Sequence, residues 1–214
     1  MDRVGLLRRL AEVLEARRYL EIGVWEGRTF SALAGLVSER VGVDPRGSPA
    51  THRMTSDVYF AGLADDEAFD LVFVDGLHER AQVVRDVTNA LRHLSPGGVV
   101  VVHDCNPPDE PSARPATTDE EAQTFQASTW CGDVWRGWLD LRATLDRPLL
   151  VYGPDLGCGI VLPVGAAPLR PIEAGEDGSM TWEAFDAARD RLLPIASPEE
   201  LEAALVALRQ NSDG

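Results

Sequence analysis

The chain has 214 residues with a formal net charge of −15, and all 20 basic residues are arginine. The acidic balance argues against nucleic acid and anionic membranes as partners. The missing lysine excludes a P-loop, a Schiff base and pyridoxal-phosphate chemistry, so a general base must be His, Asp, Glu, Tyr or Cys.

Leu6, Leu7, Leu10, Val13 and Leu14 recur at helical spacing and predict a helix over 4–16. Tyr19 to Gly23 reads as a short strand holding Glu21, and 28–38 as a helix with Phe30, Leu33, Ala34 and Val37 on one face. Val41 to Val43 is a strand ending at Asp44. Arg53 to Thr55 is a weak third strand, after which Asp57 would N-cap a helix through Tyr59, Phe60 and Leu63. Leu71 to Val74 is an apolar strand ending at Asp75. A long amphipathic helix over 79–94 follows, stopped by Ser95-Pro96-Gly97-Gly98. Val99 to Val102 ends at His103-Asp104. Alternating strands and helices, with strands apolar throughout, predict an α/β fold: a doubly wound, mostly parallel sheet covered on both faces.

Residues 105–128 are rich in proline and acid and read as a lid, a usual role for so long a loop. A helix over 133–145 follows, then strands at 149–152 and 159–162 joined by a tight turn, an antiparallel hairpin at the sheet's edge. Helices near 181–192 and 198–208 fill the C-terminal region, 180–210; the second opens on the capping sequence Ser197-Pro198-Glu199-Glu200. No repeat or second domain is visible, so 1–214 is expected to be one domain. Three cysteines without paired spacing, no apolar run long enough to span a bilayer and no signal-peptide pattern point to the cytoplasm.

Four polar motifs fall at the ends of the first four clear strands. Glu21-Ile22-Gly23-Val24-Trp25-Glu26-Gly27 turns the first strand into a helix, and Gly23 and Gly27 would let the backbone approach a ligand. This G-x-x-x-G spacing suits a dinucleotide less well than G-x-G-x-x-G. Asp44 is placed to take both ribose hydroxyls through its two oxygens. Asp75, in Val74-Asp75-Gly76-Leu77-His78, and Asp104, before Cys105 and Asn106, converge if their strands are neighbours. Two carboxylates and an amide suit Mg²⁺, and His78 and His103 lie beside them as candidate bases.

In order and spacing these motifs, with Leu94-Ser95-Pro96-Gly97-Gly98, resemble the class I S-adenosylmethionine (SAM)-dependent methyltransferases. They are nearest to the small O-methyltransferases of the macrocin and cephalosporin-hydroxylase-related group, from Tyr19 to about Leu162. The resemblance implies a Rossmann-like sheet with Glu21, Gly23 and Gly27 at the methionine end of SAM and Asp44 at its ribose. Ser56 and Asp57 would lie near the adenine. Asp75, Asp104 and Asn106 would hold Mg²⁺, with Asp75 also lining the cofactor. The implied reaction is O-methylation of a hydroxyl on a sugar or other small polar molecule, with His78 or His103 as base and the lid closing over the acceptor. Cys105 replaces the asparagine that often follows the last-strand aspartate in catechol-type relatives. The alternatives are an NAD-dependent oxidoreductase and a SAM-binding regulator without catalysis. Oligomeric state stays open, since either terminal helix could be core or an interface in a homo-oligomer.

Overall fold

Helix α1 (Arg3–Val13) opens with the Asp2 carboxylate accepting from the Gly5 amide, and buries Leu6, Leu7 and Leu10. Then come β1 (Arg18–Ile22), α2 (Arg28–Ala32), β2 (Glu39–Val43), α3 (Ser56–Gly62), β3 (Phe69–Val74), α4 (Arg80–Arg92) and β4 (Leu94–Val102). Past a 3₁₀ turn at Pro111–Ala113 lie α5 (Val134–Thr144), β5 (Leu149–Tyr152) and β6 (Cys158–Val161). Helices α6 (Trp182–Ala187) and α7 (Arg189–Leu192), strand β7 (Ile195–Ala196) and helix α8 (Pro198–Ser212) complete the chain. The computed structural model describes residues 1–47, 49–118, 121, 129–163 and 176–212; most of 119–128 in the expected lid lies outside them. Among the described residues no helix is long and apolar enough to cross a membrane.

The strands form one sheet in the order β2-β1-β3-β4-β6-β5-β7. Strands β1 to β4 pair in parallel; β6 runs antiparallel between β4 and β5, and β7 adds parallel to β5. The chain moves outward from β1 to β2, then returns to β3 on the other side of β1. Such a reversal leaves a crevice at the carboxyl ends of the strands, where ligands bind in open α/β sheets.

Successive side chains of a strand point to opposite faces, and here both faces are covered. Leu20, Ile22, Val72, Val74, Val100 and Val102 pack with Tyr59 and Phe60 of α3, Val83 and Val87 of α4, and Trp135 and Trp138 of α5. Tyr19, Leu71, Phe73, Val99 and Val101 meet α1, Phe30 of α2, and Leu201 and Leu205 of α8 on the other face. This is why these strands read as unbroken apolar runs.

The structure corrects several local expectations. Residues 53–55 form no strand; one bridge from Val43 to His52 is all that pairs there, and β2 is the sheet's edge. Pro45 and Pro49 lack the amide a ladder needs. Helix α2 ends at Ala32 rather than at 38, with Gly35 left-handed just beyond. Residues 95–98 do not lie outside the sheet. They bulge within β4, between the pairs Phe69–Leu94 and Leu71–Val99. The expected hairpin is antiparallel, but β7 rather than the hairpin is the outermost strand.

The cap of α3 is Thr55, not Asp57: Thr55 Oγ1 accepts from the Val58 amide at 3.4 Å, and Asp57 sits in the first turn. Thr55→Ala is expected to cost about 1 kcal/mol, read as a lower denaturant midpoint at unchanged m-value. An unchanged midpoint would mean the cap carries no stability.

Candidate active site

Each of the four parallel strands brings an acid to the crevice. Asp75 follows β3 directly, and His103-Asp104 follows β4. Because β3 and β4 are neighbours in register, these groups converge. Asp104 takes a left-handed backbone at φ 63° and is 2% exposed. His78, in the β3–α4 turn, completes the group: its Nε2 lies 3.3 Å from Asp104 Oδ2 and 3.5 Å from Asp75 Oδ1. His103 Nδ1 lies 3.1 Å from Asp104 Oδ1 and 3.3 Å from Asp75 Oδ1.

The far nitrogens of both imidazoles also face oxygen. His103 Nε2 is 2.8 Å from the Asp155 carbonyl, and His78 Nδ1 is 3.2 Å from the Trp130 carbonyl. Carbonyls and carboxylates only accept, so each ring is placed to donate from both nitrogens. Burial alone would lower both imidazole pKa values, but Asp104 and Asp75 outweigh it and raise both, that of His103 well above its usual value. Burial would raise the Asp75 carboxyl, yet His103 and His78 hold it far below the usual carboxylate range. The two acids and two imidazoles therefore form a cluster of opposite charges, in which Asp104 and Asp75 favour the protonated form of His103.

Asp75, His78 and Asp104 each offer one ligand atom within 4.8 Å of the others. Asp104 Oδ1 is buried and, among the described residues, accepts no aligned hydrogen bond; His103 Nδ1, 3.1 Å away, meets it as an ion pair. A buried carboxylate oxygen without an aligned donor is under-satisfied, and a cation would add to the charge that His103 brings. His78 already has the outer partner usual for a metal-binding histidine, since its other ring nitrogen addresses a backbone carbonyl.

Asn106, expected as the third ligand, has its side chain engaged by another residue. Its amide and that of Cys105 donate to the Leu156 and Gly157 carbonyls, and its Oδ1 accepts from Arg189 at 2.6 Å. The third candidate ligand atom beside the two acids is that of His78. Asn106→Ala should therefore change divalent-cation affinity less than about twofold and cost about 1 kcal/mol through the lost Arg189 bond. Cation titration and thermal melts check both; a large loss of cation binding would restore Asn106 as a ligand.

On β1, Glu21 is wholly buried, with Oε1 accepting from Thr29 Oγ1 at 2.6 Å and Oε2 from the Tyr19 hydroxyl at 2.5 Å. Burial pushes its pKa up to about 7 against the pull of these two donors. Gly23 is left-handed at φ 86°, and a Cβ there would stand 2.0 Å from the Asp75 carbonyl oxygen. Glycine at 23 thus lets the β1 turn pass the β3 exit. Asp44 does more than face the crevice: its Oδ2 accepts from the Val24 and Trp25 amides and its Oδ1 from those of Arg46 and Gly47. Four amides fill the lone-pair positions of the carboxylate. They lower its pKa despite the opposing effect of burial, and they tie the β1–α2 turn to the exit of β2. A ribose diol would have to displace some of these donors.

Ser56 and Asp57 sit where α3 meets α4, both accepting from Gln82 Nε2, at 3.1 and 3.2 Å. Trp25 and Leu77 are about half exposed in the β1–α2 and β3–α4 turns, and give the acidic rim apolar edges. The described part of the expected lid is pinned to the body. Trp135 Nε1 donates to the Ala113 carbonyl and Trp130 Nε1 to that of Arg114, while Arg189 holds Asn106 and Pro107. Trp130 also stacks on His78 at 5.0 Å, whereas Trp135 and Trp138 are core. Sequence reasoning gave no role to the carbonyls of Trp130 and Asp155. Backbone groups leave no composition signal, and only the turn around Asp155 was legible.

Residues 42–105, from β2 to just beyond β4, match the family model of a methyltransferase domain. No curated protein sequence matches the chain. Among solved structures, the O-methyltransferase TomG from Streptomyces achromogenes, in complex with SAM, is similar with a TM-score of 0.55. Identity is 22%, over 76% of this chain and 79% of that one. An O-methyltransferase from Bacillus cereus, in complex with S-adenosylhomocysteine, gives 0.53 at 17% identity, over 74% of this chain and 80% of the other. A methyltransferase from Podospora anserina, bound to the same product, gives 0.52 at 16%, over 74% and 76%. At such identities the likeness establishes the fold alone, a mostly parallel α/β sheet shared with these methyltransferases. The segment that brings Asp44, Asp75 and Asp104 to the crevice is the one that carries the methyltransferase-domain match.

Proposed function

We propose that the protein transfers the methyl group of SAM to a hydroxyl of a small polar acceptor, assisted by a divalent cation such as Mg²⁺. The observation that carries the reading is the convergence of Asp75, His78 and Asp104 beside the crevice, with one buried Asp104 oxygen that accepts no aligned hydrogen bond among the described residues. The similar structures named O-methyltransferases support an oxygen acceptor. An acidic rim with exposed Trp25 and Leu77 suits a cationic cofactor that carries an adenine.

Bound SAM would supply an activated methyl group, and bound Mg²⁺ a Lewis acid that lowers the pKa of the acceptor hydroxyl. Asp75, His78 and Asp104 would hold the cation. Trp130 keeps the His78 ring in place from its face and through its carbonyl. His103 balances the charge of the two acids and is itself held by Asp155. Released from its proton, His78 Nε2 is the ring nitrogen that faces the acids, and it would ligate the cation or receive the acceptor's proton. The segment pinned by Trp130, Trp135 and Arg189 limits solvent access on the β4 side.

Calorimetric titration of the full chain with SAM, with Mg²⁺ and with EDTA present, tests the reading. Micromolar SAM binding, together with acceptor methylation that EDTA abolishes and Mg²⁺ restores, is expected. No SAM binding overturns the assignment; turnover that survives EDTA removes the cation and leaves the transferase.

A further inference from the structure

The guanidinium of Arg3 is half committed. Its Nη1 donates to both carboxylate oxygens of Asp155, at 3.0 and 3.1 Å, and its backbone amide adds a bond to Asp155 Oδ2 at 3.0 Å. The opposite edge is different: Nε is buried and has no partner among the described residues. A tether to Asp155 needs only Nη1, so it does not account for a buried N–H left without an acceptor. The Nε and Nη2 hydrogens form the planar fork that takes a carboxylate through two parallel bonds. A quarter of the side chain is exposed while Nε itself is covered, so a ligand that engages both hydrogens of this edge would displace what covers Nε.

The place is as telling as the geometry. The Asp155 that anchors Arg3 also presents its carbonyl to His103 Nε2, and Arg3 lies within electrostatic reach of Asp75 and Asp104. The neighbouring Asp2 pairs with Arg28 at the start of α2. The N-terminal residues therefore run along the crevice from the glycine turn of β1 to the β5–β6 turn. Three consecutive residues of that second turn, Asp155, Leu156 and Gly157, are left-handed, a strained conformation of the kind that clusters at ligand sites.

We propose that Arg3 binds the carboxylate at the amino-acid end of SAM through its Nε–Nη2 edge. The inference rests on the methyltransferase reading. The amino-acid end of the cofactor is a zwitterion, and the crevice offers matching charges: a guanidinium fork for the carboxylate, with carboxylates close by for the ammonium. Asp155 acts as a positioning residue, because its two bonds to Nη1 fix the plane of the fork.

Full-length protein is titrated calorimetrically with SAM and with decarboxylated SAM, which keeps the sulfonium and the amine but lacks the carboxylate. The wild type is expected to prefer SAM by about tenfold or more, the scale of a bidentate charge-assisted contact. Arg3→Gln should lose that preference by weakening SAM while leaving the decarboxylated analogue within about twofold, since the change removes only a carboxylate contact. Arg3→Lys, which keeps the charge and loses the fork, should recover only part of it. Equal weakening of both ligands, or no weakening, would show that Arg3 is only a tether and overturn the proposal. A wild type that binds neither ligand would instead overturn the methyltransferase reading beneath it. Circular-dichroism melts of each variant confirm that the fold is retained; should Arg3→Gln fail to fold, the Arg3→Lys comparison decides alone.

Discussion

Replacing Asp104 by asparagine is expected to lower Mn²⁺ or Mg²⁺ affinity by at least about a hundredfold, the upper end of what even an outer partner of a metal ligand is worth. The turnover number should fall with it, while SAM affinity changes far less. Asparagine is the informative substitution because it tolerates the left-handed backbone at this position and keeps the side chain's shape. What it removes is charge: Asp104 is one of two carboxylates facing His78 and His103, and its buried Oδ1 accepts no aligned hydrogen bond among the described residues. Manganese electron paramagnetic resonance reads the binding loss directly, without an acceptor. Wild-type cation affinity in the variant would refute the site, and lost turnover with intact cation binding would move the role of Asp104 to charge balance alone.

Much of this arrangement was legible in the sequence, for a specific physical reason. Strands buried on both faces must be apolar throughout, so the acid after each run marks the rim: Asp44 after Val43, Asp75 after Val74, Asp104 after Val102 and His103. The helical periods of α1, α4 and α5 were equally plain, because each buries one face. What escaped was decided by contacts between distant parts of the chain. Asn106 looks like a ligand because it is two residues from Asp104, yet the carbonyls of the β5–β6 turn hold its backbone and Arg189 takes its side chain. His78 looked like a base, and the Trp130 carbonyl and stacked ring, which hold it beside the acidic pair, left no trace in the sequence. Arg3 carried no signal in the sequence, and only the arrival of Asp155 beside it fixes its guanidinium. Proline and glycine at 96–98 signalled a break; the sheet absorbed them as a bulge because the register between β3 and β4 resumes at once.

Glu21→Gln is expected to flatten part of the pH dependence of stability between about pH 4.5 and pH 7. The native carboxyl is raised from 4.5 to about 7 by burial, with the Thr29 and Tyr19 hydroxyls opposing the shift. A native group with a raised pKa holds a proton that the unfolded chain has already released, so stability falls as pH rises through this window and levels off above it. At roughly 1.4 kcal/mol per pKa unit the full fall is about 3 kcal/mol, an upper figure for a group this deeply buried. Glutamine cannot ionise and retains an acceptor for one hydroxyl, while the other hydroxyl can itself accept from the new amide. Asp86, also buried and pushed up to about 6, contributes a slope of the same sign, so the wild-type curve alone does not isolate Glu21. The difference between wild-type and variant unfolding free energies, measured in urea at pH 5 and pH 8, does. It should favour the variant by up to about 3 kcal/mol more at pH 8 than at pH 5. A difference independent of pH would mean that Glu21 stays ionised in the native protein, its two hydroxyl donors outweighing burial, and that a fixed negative charge lies beneath the glycine turn at every pH where the enzyme could work.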